Sequence, residues 1–259
     1  MPTFVHETAI VSSSARIGAD CHIGAFSVVG DEVILGDRVH LESHVVVDGT
    51  TNIGDDTRIF PFVSIGLAPQ DLKYGGEPTR TEIGRRNHLR EFVTVHRGTQ
   101  GGGGLTRIGD DNLLMAQAHV AHDCLIGNNV IMANAATLAG HVEIADRANI
   151  GAYSGVHQFC RVGLEAFVGG YSVVVKDALP FATIQGNHAK CYGLNRVGMK
   201  RRGYAKDSIE KLHRAFHLLL SAKLNTTQAV EKIREEMKDC AEVDLLVNFI
   251  ETSKRGVVK

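Results

Sequence analysis

The sequence contains no tryptophan, 5 prolines in 259 residues and 6% aromatics. So little proline excludes a proline-rich disordered chain and a collagen-like one, although glycine is frequent at 28 residues. Charge of one sign is also lacking. Lys plus Arg number 28 against 29 Asp plus Glu, a formal charge of −1, so no global field marks nucleic acid as the main partner. No apolar run approaches the ~18 residues of a membrane span. The opening MPTFVHETAIVSS lacks the basic-then-apolar pattern of a secretory signal, so a cytoplasmic protein without a transmembrane segment is expected. The 5 cysteines are odd in number and show no CxxC spacing, which argues against a disulfide framework or a zinc knuckle. A folded core is expected from 44% apolar and 22% charged residues.

A period of six fills most of the chain. Stepping by six from Val5 to Ile65 meets only aliphatic residues. The same phase resumes at Ile83, Leu89 and Val95, and after a slip of one residue it runs from Ile108 to Val174. Two residues before each of these lies a second series, mostly small or β-branched, such as Ala15, Cys21, Val45, Ala118, Cys124, Ala148 and Cys160. Glycine often follows the aliphatic position, as at Gly18, Gly36, Gly84 and Gly127. Neither 3.6 nor 3.5 divides this period, so it is no helix. It predicts a parallel β-solenoid of short strands and turns: the large aliphatic points inward, the small residue packs beside it, and glycine supplies positive φ at the turn. Three units close one coil, and coils stack about 4.8 Å apart. Cys21, Cys124 and Cys160 are then buried and inert.

Two segments interrupt the period. LAPQDLKYGGEPTR (67–80) leaves and returns in phase, and GTQGGGGL (98–105) forms a second excursion. The glycine run at 101–104 lacks the Lys-Ser/Thr and helix of a phosphate-binding loop and reads as flexible. From about residue 190 the repeat gives way to helical spacing, with Asp207 and Glu210 as a capping pair and apolar stripes at Ile209–Leu220, Ala229–Met237 and Val243–Ile250. The expected domains are therefore a solenoid over 1–189 and a small helical unit over 190–259, a candidate to cover the solenoid's open end.

Function should lie in what the repeat does not require. His119, His122, His141 and His157 fall in AHVAHDC, LAGHV and VHQFC. The coil period places His122 beside Gly140, Asp123 under His141 and His141 under Phe159. An imidazole beside a glycine N–H and a carboxylate suits acyl transfer: the ring takes a hydroxyl proton and the N–H steadies the oxyanion. Spacing alone leaves two rivals. His119-x-x-His122 with another histidine could bind zinc for a carbonic-anhydrase-type hydratase, and a scaffold would need no chemistry at all.

These motifs, with PQDLKY (69–74), GEPTR (76–80), VHRGT (95–99), QGNHA (185–189) and KRRG (200–203), strongly resemble the acyl-ACP–UDP-N-acetylglucosamine O-acyltransferases over essentially the whole chain. The resemblance implies a homotrimer of left-handed parallel β-helices, each with a small C-terminal helical domain, and active sites between subunits. It implies transfer of an (R)-3-hydroxyacyl chain from acyl carrier protein to the 3-hydroxyl of UDP-N-acetylglucosamine, the first step of lipid A synthesis, with no covalent acyl-enzyme, metal or other cofactor. His122 matches the general base, with Asp123 beside it, and Gly140 matches the oxyanion-hole glycine. Asp71 and Lys73 match loop residues that contact the sugar nucleotide; His119, His141, His157 and Gln158 match residues lining the sugar and acyl sites. His188, Asn195, Arg201 and Arg202 match a nucleotide and phosphopantetheine region, where two arginines suit a diphosphate. Val197 departs from the pattern, standing where members carry an acid. Gly170 matches the position that limits acyl length. Glycine there implies a chain of roughly 14 carbons, although at about 0.8 kcal/mol per buried methylene an open channel does not reject shorter chains sharply. Arg85, Arg86, Arg90, Arg201 and Arg202 are candidates to dock the acidic carrier protein. A different sugar-nucleotide acyltransferase, one using a 3-amino acceptor or the N-acyltransferase acting later in the pathway, is the near alternative.

Overall fold

A computed structural model of the chain describes residues 2–259. Successive short strands turn through three directions and pair in parallel with the coil below, so that His22–Ile23 pairs with His40–Leu41, and His119–Val120 with Thr137–Leu138. Among the described residues the result is a prism with faces of 11, 9 and 8 strands. The repeat dictates its interior. Ile23, Leu41, Ile59, Leu89, Leu114, Met132, Ile150, Val168 and Ile184 stack in register up the first face, none more than 1% exposed. Each fully buried side chain of this size contributes roughly 1.5–3 kcal/mol.

The turns work differently from the expectation. The glycines after the inward aliphatics mostly keep ordinary φ; what they need is space. A Cβ on Gly18 would lie 2.5 Å from the carbonyl carbon of Gly36, and one on Gly54 2.7 Å from that of Gly84. Positive φ falls instead two residues further on, at non-glycine residues such as Asp20, Phe26, Arg38 and His44, with φ of 56 to 59°. The strain is offset by a backbone bond to the coil below, for example Arg38 N–H to Ala19 O at 2.8 Å.

Both excursions leave from one corner, between the second and third faces. The segment at 68–79 connects strands Ser64–Leu67 and Arg80–Ile83, and that at 97–104 connects Thr94–His96 and Leu105–Ile108. Thr50 pairs with Arg80 and Arg80 with Leu105, steps of 30 and 25 residues where an uninterrupted coil steps by 18. The first excess is two hexapeptides, which preserves the phase; the second is seven residues, which produces the one-residue slip.

Above the last coil, Leu179 and Phe181 plug the core, both fully buried. A strand at Ala182–Gln185 continues the first face and folds back antiparallel onto Lys190–Leu194. Helices α1 (Arg196–Arg201), α2 (Lys206–Leu220), α3 (Thr226–Glu236) and α4 (Ala241–Glu251) follow. The plug, rather than the helices, closes the core; α2 packs behind the hairpin. Asp207 and Glu210 do not form the expected capping pair. The helix starts at Lys206 with Ala205 as its N-cap, so Asp207 lies inside the first turn, where it favours the helix dipole and meets Lys211 at 3.0 Å. The capping box belongs to α3, through Asn225 and Gln228. No helix among the described residues is long and apolar enough to cross a membrane.

Candidate active site

The corner that emits the two excursions also carries the chemistry. It holds residues 121–124 in one coil, 139–142 in the next and 157–160 above that. Asp123, His141 and Phe159 occupy its left-handed positions, with φ of 60, 61 and 63°. His122 Nδ1 lies 2.8 Å from Asp123 Oδ2, so the ring's other nitrogen is the one left to face a substrate. Gly140 packs directly against this imidazole. A Cβ there would sit 2.5 Å from His122 Cε1, so the ring can occupy this place only because residue 140 has no side chain. The Gly140 N–H has no acceptor among the described residues. His141 meets His122 edge-on at 5.1 Å, stacks on Phe159 at 4.3 Å and has Nδ1 3.8 Å from Asp123 Oδ2. Burial lowers its pKa, and Asp123 opposes that shift.

Asp123 is buried, and both its oxygens are bonded. Thr99 N–H donates to Oδ1 at 2.8 Å and the Thr99 hydroxyl to Oδ2 at 2.6 Å, while Asp123's own N–H donates to Thr106 Oγ1. Thr99 lies in the second excursion, so that segment is ordered against the dyad and the expectation of a plain flexible loop needs correction. Two of its glycines are required by proximity to the carboxylate: a Cβ on Gly102 would lie 2.0 Å from Asp123 Cγ and one on Gly98 2.9 Å from Oδ1, whereas Gly101 and Gly103 face open space. Sequence reasoning missed Thr99, and the available signal was its place in the quoted VHRGT motif.

His119 lies one strand before the dyad. Its Nδ1 is 2.6 Å from Thr94 Oγ1, and its ring meets the buried His96 edge-on at 5.1 Å. Burial pushes the His119 pKa down to about 4, helped by the neighbouring imidazoles His96 and His122. Three groups could share an ion: His122, Asp123 and His141, not the His119-x-x-His122 pair of the sequence pattern. Their donor set fits a hydrogen-bonded dyad better than a metal, because Asp123 Oδ1 and Oδ2 are already occupied by Thr99 and His122. Cys124 and Cys160 are buried, and burial raises their thiol pKa values to about 12 and about 11, which agrees with an inert role.

The remaining candidates separate. His157 and Gln158 lie in the same corner one coil above Gly140, both exposed. Asp71 and Lys73 lie on the first excursion; Asp71 Oδ1 accepts the Lys73 N–H at 3.0 Å, and its charge is felt at His141. Gly170 lies at a different corner, between the first and second faces, where it is exposed and a Cβ would meet Ala152 O at 3.3 Å. His188 lines a cleft of about 600 Å3 with Lys176 and the C-terminal residue Lys259. Asn195, Val197, Arg201 and Arg202 line another of about 600 Å3 with Phe167 and Thr183. Asn195 is also the N-cap of α1, accepting the Gly198 N–H at 3.0 Å. Arg202 is held by Glu165, a fully buried carboxylate that also binds Arg147 and the Tyr204 hydroxyl. Of the docking arginines, Arg86 forms a bidentate pair with Asp111 and Arg90 one with Glu91, while Arg85 and Arg201 have no acidic partner among the described residues.

A hexapeptide coil whose corner presents a His–Asp pair and a bare glycine defines a hexapeptide-repeat transferase. The family described as bacterial transferase hexapeptide (six repeats) matches residues 14–49 and 105–140. The second domain of the UDP-N-acetylglucosamine O-acyltransferases matches residues 177–258. The structure is similar to that of LpxA from Acinetobacter baumannii, with 42% identity over 98% of this chain and 99% of that one and a TM-score of 0.96. It is likewise similar to a UDP-N-acetylglucosamine acyltransferase from Bacteroides fragilis, with 36% identity, 99% and 100% coverage and a TM-score of 0.97. An Arabidopsis UDP-N-acetylglucosamine acyltransferase follows at 30% identity, 99% and 100% coverage and a TM-score of 0.87. The chain belongs to the UDP-N-acetylglucosamine O-acyltransferase family, and its solenoid is the left-handed parallel β-helix of that family.

Proposed function

We propose that the chain transfers an (R)-3-hydroxyacyl group from the thioester of acyl carrier protein to the 3-hydroxyl of UDP-N-acetylglucosamine, with His122 as general base. The observation that carries this is the seat of His122, bonded through Nδ1 to Asp123 and packed on Gly140. Asp123 fixes the tautomer with the proton on Nδ1, leaving Nε2 to take the sugar hydroxyl's proton. The freed oxygen attacks the thioester carbonyl, and the tetrahedral oxyanion is met by the Gly140 N–H. The C–S bond then breaks, and the leaving thiolate recovers the proton from the imidazolium, which the Asp123 carboxylate stabilises in the interval. No acyl group passes through the enzyme, in keeping with the buried, unreactive cysteines.

Asp71, Lys73, His119, His141, His157 and Gln158 then contact the sugar and the acyl carbonyl. Asn195, His188, Arg201 and Arg202 serve the nucleotide and phosphopantetheine, with Arg202 set in place by Glu165. Asn195, Arg201, Arg202 and Gly170 lie away from the His122 corner of their own chain, whereas His188 stands above that corner beside Lys176, so one cleft can use them all only where separate chains meet. That supports a homotrimer with its sites at the seams. The exposed Gly170 leaves the acyl channel open, for the chain of roughly 14 carbons that the family resemblance implies, and at about 0.8 kcal/mol per buried methylene shorter chains are rejected only weakly. Arg85 and Arg201 are the arginines left free to meet an acidic carrier protein. Such an enzyme acts in the cytoplasm at the start of lipid A synthesis.

Mass spectrometry of the product from UDP-N-acetylglucosamine and a mixture of (R)-3-hydroxyacyl carrier proteins tests the reading. One ester-linked 3-O-hydroxyacyl product, abolished by His122→Ala, is expected. Wild-type turnover by that variant would refute the mechanism, and an amide-linked product would refute the acceptor.

A further inference from the structure

We infer that Thr99 is a positioning residue for the reaction, and that the 98–105 excursion exists to hold the Asp123 carboxylate against His122. This rests on the dyad reading above. The excursion adds seven residues to one coil and shifts the repeat by one, and Thr99, Gly98 and Gly102 within it all close on a single group, the Asp123 carboxylate. Thr99 spans the carboxylate with two bonds, N–H to Oδ1 at 2.8 Å and hydroxyl to Oδ2 at 2.6 Å. Gly98 and Gly102 pack so closely that a Cβ would lie 2.9 Å from Oδ1 and 2.0 Å from Cγ respectively. Thr99 is 6% exposed and Asp123 5%, so the contact is buried on both sides.

The physical need is specific. Asp123 sits in the left-handed region, and its Oδ2 lies 2.8 Å from His122 Nδ1 and 3.8 Å from His141 Nδ1. A carboxylate between two imidazoles can turn toward either. The hydroxyl of Thr99 shares Oδ2 with His122, while its N–H anchors Oδ1, and together they fix the plane in which Oδ2 meets His122 Nδ1. The next link runs outward. Gln100 N–H lies 3.4 Å from Glu77 Oε1 on the first excursion, so the clamp is joined to the loop that carries Asp71 and Lys73.

Steady-state kinetics of the intact protein with UDP-N-acetylglucosamine and acyl carrier protein tests this in four forms: Thr99→Val, Thr99→Ser, Asp123→Ala and the Thr99→Val/Asp123→Ala double variant. Thr99→Val keeps the backbone bond and the shape but removes the hydroxyl. Its kcat is expected to fall about tenfold, the scale of a lost hydrogen bond to a charged group, with KM for the sugar nucleotide unchanged within about twofold. Thr99→Ser should restore most of kcat. In the Asp123→Ala background Thr99→Val should cost nothing further, because a residue that acts only through Asp123 has nothing left to act on. A silent Thr99→Val beside an impaired Asp123→Ala overturns this inference alone, as do penalties that multiply in the double variant. A silent Asp123→Ala overturns the dyad reading on which it stands. If Thr99→Val unfolds, the Thr99→Ser variant decides: loss of kcat despite a normal melting temperature overturns the hydroxyl's role.

Discussion

Two corners of the prism share one backbone and do opposite things. At the corner of Arg38, Asp56, Arg86 and Asp111, each residue has φ between 54 and 60°, as Asp123, His141 and Phe159 have at the His122 corner. In both, the side chain above lies over the one below. The first corner joins acids and arginines in bidentate pairs, Arg38 with Asp56 and Arg86 with Asp111, so every strong donor finds an acceptor in its own column. The second column joins one carboxylate to rings that each have a nitrogen to spare. The repeat supplies a rack, and whether a position is structural or chemical depends on whether its groups satisfy one another.

The largest test of that contrast is His122→Ala. General-base catalysis contributes about 10²–10⁴-fold, so kcat should fall by that order while the melting temperature stays near wild type. Gly140→Ala should come next. The new methyl would lie 2.5 Å from His122 Cε1, so the ring must swing out, and a loss of about 10²-fold in kcat is expected, read in the same assay. Glu165→Gln moves the comparison to the charged corner, where Glu165 is its one fully buried acid. Removing its charge leaves Arg147 and Arg202 facing a neutral amide, and chemical denaturation should show a loss of about 2–3 kcal/mol, below the usual range for a broken buried pair because both arginines reach water.

Much of this was legible in the residues, and the rest was hidden for physical reasons. The period of six reports the inward column because burial tolerates only apolar side chains there, and the interval of 18 places His122 on Gly140 without any structure. Thr99 could not be found that way. It lies in a segment that breaks the period, and its partner is 24 residues on, an interval the coil arithmetic does not contain. The glycines were located correctly but misread, since composition cannot distinguish a need for positive φ from a need for room. Asp207 and Glu210 failed as a cap because the pattern S/T/D-x-x-E fits equally well one or two positions inside a helix. Helix α1 and the strands at 182–194 went unseen, being too short for any period to show.

A smaller effect concerns His119. Its folded pKa of about 4 lies below the unfolded value of 6.5, so the unfolded chain binds its proton first as pH falls. This histidine's contribution is therefore fully present above pH 6.5 and is lost progressively down to about 4. His96 is shifted in the same direction by burial and adds to the slope. Melting temperatures across that window should fall less steeply for His119→Gln than for the wild type, and an unchanged slope would show that the buried pair does not govern acid stability.

The smallest expected effect is the one that separates the corners most cleanly. Arg38→Ala removes a bidentate pair at 2.6 and 2.8 Å, by geometry as good as any in the molecule. Yet the guanidinium and Asp56 are both well exposed, water replaces each bond, and the backbone link of residue 38 to Ala19 O survives the change. Neither kcat nor the melting temperature should move beyond experimental error. Asp123→Ala removes a carboxylate from the same kind of position with equally short bonds, and there the assay should collapse. If Arg38→Ala also lowered turnover, the columns would be mechanically coupled along the coil, and the division between structural and chemical corners would have to be abandoned.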